Sequence, residues 1–199
     1  MADEVLVLTT PPSAEPLSLA EARLHLKVND LVTADDGKIV RLVKAARQLG
    51  ERWTGRSWVT QTWTLHLPGF PAGGAAIDLR RPPVASVTEV RYQDASGATV
   101  VVSTSVYDVV LHHYRPQVVL KPDQEWPSDT QTGKAFPVQV VYVAGSGGAA
   151  DVPEPYRNGV ELLIGQWFEE RSGTIVGTNA MELPLAVQEL LDFERVIPV

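Results

Sequence analysis

The sequence predicts an α+β fold in which helices from the N- and C-terminal parts form a helical bundle and a small antiparallel β-domain is inserted between them. Two observations carry this prediction. Apolar residues recur every three or four positions before residue 56 and after residue 153, which is the helical period. Between residues 57 and 144 they alternate with polar residues, which is the period of a strand. Helices at both ends can bury their apolar stripes on each other, which makes the β-rich zone an insertion.

Composition agrees with a globular protein. The chain has 199 residues, of which 44% are hydrophobic and 21% charged. It has no cysteine, which excludes disulfides, thiolate zinc sites and cysteine nucleophiles. Its net charge of −7 disfavours wrapping around nucleic acid. Apolar runs are too short to span a bilayer and the first residues are acidic, so we expect a soluble protein without membrane partner, made inside the cell.

The N-terminal zone combines an extended segment, residues 1–17, with the first bundle helices, residues 18–56. Ser18 and Glu21 form a capping-box pattern that predicts a helix through Leu26. After a polar loop, Asp35 or Asp36 is expected to cap a second helix. Gly55 is placed to end that helix. Its predicted apolar stripe consists of Ile39, Leu42, Val43, Ala46, Leu49 and Trp53.

The middle zone, residues 57–144, predicts a small antiparallel β-structure. A clear alternation runs from Val59 to Leu67, and a turn is expected at residues 94–97. Further strands are predicted over residues 76–79, 84–92, 99–102, 107–111, 117–120 and 138–143.

The C-terminal zone returns to helix. Residues 145–152 are glycine-rich and predict a hinge. Within residues 153–199, one helix is expected to begin near Pro153 or Pro155 and to reach about Arg171. A loop separates it from a last short helix that opens at Pro184 and leads into the C-terminal tail.

No constellation of residues predicts catalysis, so we expect neither an enzyme nor a bound cofactor or metal. His112 and His113 are adjacent, and neighbours on a strand point to opposite faces, so they cannot easily chelate one ion. The carboxylate pairs, residues 35–36 and 169–170, diverge on a helix and fit a cap or a solvated face. The glycine-rich stretch at residues 145–148 lacks the residues of a nucleophile elbow or a phosphate-binding loop.

The second helix carries an unusual charge pattern. Lys38, Arg41 and Lys44 follow one another at spacings of three, with Arg47, Arg52 and Arg56 further along. A solvated face explains the pattern most simply. The alternative is an acidic partner, either a neighbouring subunit or DNA passing nearby. On this alternative, Lys38, Arg41 and Lys44 are candidate interface residues.

Tryptophans give a second hint of an interface. Trp58 is expected on the strand face opposite to Trp63, so one of the pair should be only partly covered within a monomer. We therefore include Trp58 among the candidate interface residues, although a second packing layer would explain it equally well. The residues alone thus predict a soluble, non-catalytic α+β interaction module.

The order of motifs along the chain resembles head–tail connector proteins, also called adaptors, of long-tailed phages, prophages and gene transfer agents. The resemblance spans residues 16 to 195. It is carried by residues 16–27, 51–57, 61–63, 67–71, 77–84, 86–90, 92–97, 126–127, 140–145, 152–157, 167–171 and 183–184.

This resemblance implies a structural virion protein without catalytic residues. Such proteins form a ring, usually of twelve copies, that binds the portal protein, extends the DNA channel and docks a tail-side stopper or tail terminator protein. DNA would only pass through the channel. The protein would reside at the head–tail joint of the virion and in the host cytoplasm during assembly. By analogy, residues 185–199 are expected on the portal side, with Leu185, Leu190 and Leu191 as contact residues.

Three classes of function compete. The structural connector leads because the order of its motifs covers nearly the whole chain. A second class is another stopper or tail-completion protein with similar helix and sheet content. The third is a particle-associated hydrolase, which would need a cleft with a carboxylate or histidine constellation. A weaker variant of the third is a ligand-binding β-module, which heat-stable binding of a monomer to a glycan would favour.

Overall fold

The computed structural model describes residues 4–29, 31, 33–169, 183–192 and 194–196. The chain divides into two compact units, a β unit of Met1–Ser13 and Thr60–Ser146 and a helical unit of Ala14–Val59 and Gly147–Val199. In the part described, the fold is mixed α+β, with four α-helices and two antiparallel sheets.

The helical unit contains α1 (Leu19–His25), α2 (Asp36–Thr54), α3 (Glu154–Glu169) and α4 (Leu185–Asp192). Its helices pack around one apolar core, where the Trp58 indole stacks on the Tyr156 ring with centroids 4.6 Å apart. The core also contains the buried side chains of Leu17, Ala22, Ile39, Val43, Ala46, Val160, Leu163, Ile164, Val187 and Leu191.

The helix ends follow the predicted signals with one exception. Ser18 Oγ accepts a hydrogen bond from the Glu21 N–H at 3.2 Å, and Glu21 Oε2 accepts one from the Ser18 N–H at 2.7 Å, so the capping box is confirmed. Gly55 ends α2 in the left-handed conformation, φ 69°, as predicted. Asp35 occupies the N-cap of α2, but its side chain makes no capping hydrogen bond. Its backbone is helical rather than extended, which turns the carboxylate away from the first free N–H groups.

The strands of the β unit are β1 (Val5–Thr10), β2 (Gln61–Leu67), β3 (Ile77–Asp78), β4 (Val84–Gln93), β5 (Thr99–Val101), β6 (Tyr107–Val110), β7 (Gln117–Leu120) and β8 (Val138–Ala144). The larger sheet has the order β1-β2-β8-β4-β5 and the smaller one β3-β7-β6, with antiparallel pairing throughout. The prediction of strands in the middle zone is therefore confirmed, apart from the start of β2 at Gln61. Val59 instead packs in the core of the helical unit.

The first strand extends the larger sheet from the N-terminal segment. β1 pairs with β2 in a register that places Val5 opposite His66 and Val7 opposite Thr64. The sequence assigned these residues to an extended segment and did not place them in a sheet. The pairing joins positions that are more than 50 residues apart in sequence, and only tertiary structure reveals it.

Candidate assembly surfaces

The solvent side of α2 carries positive charges, as the sequence predicted, but the residues that display them are not the same three. Arg41 and Lys44 are exposed, and so is Arg52 two turns further along. Spacings of three and eight place these three residues, here called the basic row, along one side of the helix. Among the described residues, none of the three forms an ion pair. The basic row thus presents three positive charges to solvent.

Lys38, the first residue of the predicted row, is engaged within the helical unit. Its Nζ donates a hydrogen bond to the Phe168 carbonyl at 3.2 Å and lies 4.5 Å from the centroid of the Phe168 ring. A charge that is bound to a carbonyl and an aromatic face is less available to a partner. The structure therefore brings Arg41 and Lys44 together on the surface and holds Lys38 against α3.

Two further arginines of this segment are buried rather than displayed. The Arg47 guanidinium lies between Glu15 and Glu51, with Nε 2.6 Å from Glu15 Oε2 and Nη1 2.6 Å from Glu51 Oε2. Burial works against the charged form, but the hydrogen bonds and charges of both carboxylates outweigh it and raise the Arg47 pKa. Arg56 is equally buried and pairs with Glu194. The spacing of four residues from Val43 to Arg47 could have placed Arg47 on the buried side.

Trp58 is buried, with an exposed fraction of 1%, which removes it from the candidate interface residues. It precedes β2 and does not belong to a strand. Its N–H donates to Glu51 Oε1 at 2.9 Å, and its indole N–H donates to Thr54 Oγ1 at 3.2 Å. Trp63 is the partly covered member of the pair, with Arg81 5.5 Å from its ring.

The three leucines of α4 differ sharply in exposure. Leu185 is 72% exposed, Leu190 is half-buried and Leu191 is fully buried. Gly159 on α3 leaves room for Leu191, because a Cβ added at residue 159 would lie 3.2 Å from Leu191 Cδ2. Leu191 is therefore part of the core and cannot at the same time contact a partner, which corrects the prediction for this residue. Of residues 185–199, positions 193 and 197–199 lie outside the described residues.

β1 is the edge strand of the larger sheet, and it contains no charged residue. Val5, Val7 and Leu8 are 39%, 43% and 39% exposed, and Leu6 is the only residue of the strand that is half-buried. Exposed edges of this kind pair readily with other strands, and proteins usually protect them with charges or prolines. The motifs in the sequence did not indicate this surface, although the stretch from Val5 to Thr10 contains no charged residue.

In the smaller sheet, side-chain hydrogen bonds to Asp78 join β3 to β7 and to the loop that precedes β7. Arg115 donates from Nε and Nη2 to the Asp78 carboxylate at 3.0 and 3.1 Å, and Gln117 donates to the same group at 2.6 Å. The Arg115 hydrogen bond, with a smaller contribution from Gln117, lowers the Asp78 pKa against the opposing effect of burial. This bidentate contact ties Arg115, which follows His112 and His113 in the same loop, to β3.

Of the histidine and carboxylate groups considered as candidate sites in the sequence, His112 and Asp36 make hydrogen bonds within the chain. The histidine pair lies in the exposed β6–β7 loop, where His112 Nδ1 accepts from two backbone N–H groups at 3.3 Å. Asp36 is bound to Arg23, with Oδ1 2.8 Å from Arg23 Nε. The described residues contain no group of three side chains that could hold a metal ion. Among the described helices, none is long and apolar enough to cross a membrane.

No protein-family model and no curated protein matches the chain. Solved structures do match. A chain from the virion of a native gene transfer agent particle is 27% identical with a TM-score of 0.79, and the alignment covers 98% of this chain and 97% of that one. This chain is similar to components of gene transfer agent particles.

Two of the matching structures are of the neck itself. The neck of an empty gene transfer agent particle, determined with C6 symmetry, contains a chain that is 25% identical with a TM-score of 0.77. The neck of a native particle, determined with C12 symmetry, contains one that is 26% identical with a TM-score of 0.76. Both alignments cover 98% of this chain and 97% of the neck chain. The similarity agrees with the coarser part of the expectation, a structural protein of a virion neck.

Proposed function

We propose that this protein is a head–tail connector, an adaptor that forms a ring between portal and tail, extends the DNA channel and provides the surface on which the tail docks. One observation carries the proposal, the similarity to neck chains over 98% of this chain and 97% of theirs. Because almost nothing of either chain lies outside the alignment, the likeness concerns the whole fold described here and not one part of it.

The ring would contain twelve copies, in line with the C12 symmetry of the related native neck. A closed ring uses a head-to-tail interface, so each copy needs two different surfaces. The basic row supplies one of them. With a net charge of −7, the chain has acids in excess to face it. Glu154 and Asp108 pair with Arg157 and Lys121 within the chain, but their side chains are still 77% and 61% exposed. We therefore assign Arg41 and Lys44 to contact with an acidic surface of the neighbouring copy.

The same charge balance suits a channel for DNA. A lumen that bound many phosphates through lysine and arginine would hold DNA tightly and slow its passage. An acidic protein avoids this, and DNA then only passes through.

The partners along the channel axis would be the portal protein on one side and a stopper or tail terminator on the other. The C-terminal segment is assigned to the portal side, with Leu185 as its exposed apolar contact. The protein would be made in the host cytoplasm and remain in the virion at the head–tail joint.

Electron microscopy of particles from a producer strain with this gene disrupted tests the proposal. We expect DNA-filled or leaky heads beside separate, complete tails, and normal particles after complementation with the intact gene. Complete tailed particles in the disrupted strain would contradict a connector role.

The same particles distinguish a connector from a stopper or another tail-completion protein. If the protein is the component that binds the portal, heads from the disrupted strain will end at the portal ring. If those heads retain a further ring below the portal, this protein acts later in the neck and the alternative is correct.

A further inference from the structure

The inference concerns β1 and rests on the proposed ring. β1 is joined to the rest of its sheet only through β2, since it is the terminal strand in the order β1-β2-β8-β4-β5. The chain then leaves the β unit at Ser13, and residues 14–59 belong to the helical unit before β2 begins at Gln61. β1 is therefore an edge element whose connection to its own sheet runs through another unit.

Little side-chain burial holds β1 in place. Five of its six residues are exposed, and Leu6 alone is half-buried. Side-chain contacts that fix it include the pairing of the Thr9 and Thr64 hydroxyls, 2.6 Å apart, and an ion pair between Glu4 and Arg80. β2, in contrast, depends on a neighbouring strand at this edge. Its residues Thr64 and Leu65 are only 5% and 0% exposed when β1 is paired with it.

The connection after β1 is short and stiff. Glu15 is held by Arg47, and the Pro16 carbonyl accepts a hydrogen bond from Arg157 Nη1 at 2.6 Å, so only four residues, 11–14, separate Thr10 from the next anchored residue. Two of those four residues are Pro11 and Pro12. The five residue steps from Thr10 to Glu15 span at most about 18 Å. Short hinges under restraint favour the exchange of an element between copies over its return to the same chain.

We propose that β1 is exchanged around the ring, so that the β1 strand of each copy pairs with β2 of the next copy. An exchanged strand remakes the same register and the same Thr9–Thr64 and Glu4–Arg80 contacts, now between subunits, so the exchange requires no new complementary surface. It is also directional, because every copy donates one strand and accepts one, which is the head-to-tail relation that a cyclic ring needs. The C12 and C6 symmetries of the related necks have this relation.

Disulfide trapping tests the exchange directly, because the chain contains no cysteine of its own. Val5 and His66 lie opposite each other in the β1–β2 register, within the distance range of a disulfide. Particles are assembled with the double variant Val5→Cys/His66→Cys, oxidised and separated on a denaturing gel without reductant. Exchange predicts a ladder of covalent oligomers up to the size of the ring. A second pair, Val7→Cys/Thr64→Cys, repeats the test at another position of the register.

A matched control uses the β6–β7 hairpin, where Val110 lies opposite Gln117 in a single copy. Val110→Cys/Gln117→Cys should give oxidised monomer only. In addition, particles built from a mixture of Val5→Cys and His66→Cys single variants should contain covalent dimers, which can form only between copies. Inserting six Gly/Ser residues after Ser13 should shorten the ladder of the double variant, because a longer hinge lets β1 return to its own sheet.

Two results would overturn the exchange. Oxidised monomer in the Val5→Cys/His66→Cys particles would show that β1 stays in its own copy, and a covalent link to a different virion protein would show that β1 has another partner. Either result leaves the connector role intact if the protein is present in the neck. Failure of the connector role is instead seen as complete particles in the disrupted strain.

Discussion

Gly50 on α2 lies against the indole of Trp58 so closely that a Cβ at residue 50 would be 1.9 Å from Cη2 of the tryptophan. The tryptophan cannot move aside easily, because Tyr156 stacks on its ring and Glu51 and Thr54 accept its N–H groups. Glycine is thus required at residue 50 for packing, despite its cost within a helix.

The substitution Gly50→Ala should therefore destabilise the helical unit by about 1–3 kcal/mol, the usual cost of overpacking a core. Gly37→Ala is the matched control in the first turn of the same helix, where a Cβ would meet only the Arg41 side chain at 3.5 Å. It should leave stability unchanged or raise it by about 0.5–1 kcal/mol, since alanine is the better helix former. Thermal unfolding followed by circular dichroism measures both, and equal midpoints for the two variants would contradict the packing argument.

Local signals in the sequence predicted much of this fold. The Ser18–Glu21 capping box, the Gly55 helix end and the strand alternation each depend on residues close in sequence, and all three are present. Contacts between distant residues were not accessible in the same way. Glu15 and Arg47 are 32 positions apart, and their pairing converts a supposed surface cation into a buried one.

Among the candidate interface residues, too, local signals were predictive and contacts between distant residues were not. Exposure of Arg41 and Lys44 follows from helical spacing relative to the apolar stripe, and the structure agrees with it. The burial of Trp58 and Leu191 could not be predicted, because it depends on α3, whose Tyr156 and Gly159 receive them. Apolar character alone does not distinguish a core residue from a contact residue.

Loss of the capping box should be measurable at α1. Ser18→Ala removes the acceptor for the Glu21 N–H, and we expect a loss of about 0.5–2 kcal/mol in the free energy of unfolding. Ser18→Thr should restore part of it, because threonine keeps a hydroxyl that accepts from the Glu21 N–H and donates to Glu21 Oε2. Chemical denaturation of the three proteins provides the comparison, and the absence of any recovery with threonine would indicate a role of the serine other than capping.

The Asp78–Arg115 contact makes a prediction about pH. The Asp78 pKa is lowered in the folded protein, so this carboxylate contributes stability that is fully present above the pKa of an unfolded aspartate, about 3.9, and is lost as the pH falls through the lowered folded value. Arg115→Gln should raise the Asp78 pKa towards its ordinary value. An NMR titration of the carboxyl carbon measures it, with Arg52→Gln in the helical unit as a control that leaves it unchanged. An Asp78 pKa that is the same with and without Arg115 would exclude this pairing in solution.

Charge reversal on the basic row tests its assignment to the subunit interface. Arg41 and Lys44, two of the three residues of the basic row, are exposed and form no ion pair with a described acid. The double variant Arg41→Glu/Lys44→Glu should therefore leave the unfolding temperature unchanged. Ring formation should weaken about tenfold or more, since like charges placed across an interface cost on the order of 1 kcal/mol or more each. Lys27→Glu/Lys134→Glu changes the net charge equally at two other exposed sites and should assemble normally. Analytical ultracentrifugation and counts of tailed particles compare them, and normal rings with the first variant would leave the basic row as a solvated face.

Leu185 is exposed on α4 and Leu191 is buried, so substitutions at these two residues can distinguish an effect on portal binding from an effect on folding. Leu191 fills the space above Gly159, so Leu191→Ala should cost about 2–5 kcal/mol of stability and weaken any binding indirectly. Truncation before α4 would remove the same core residue and has the same ambiguity. Leu185 is 72% exposed, so Leu185→Asp should change stability by less than about 0.5 kcal/mol and abolish capture by immobilised portal protein if α4 lies on the portal side. Glu189→Gln, an exposed change on the same helix, is the control expected to bind as the unmodified protein does. A Leu185→Asp protein with an unchanged unfolding temperature and unchanged capture would move the portal contact away from α4.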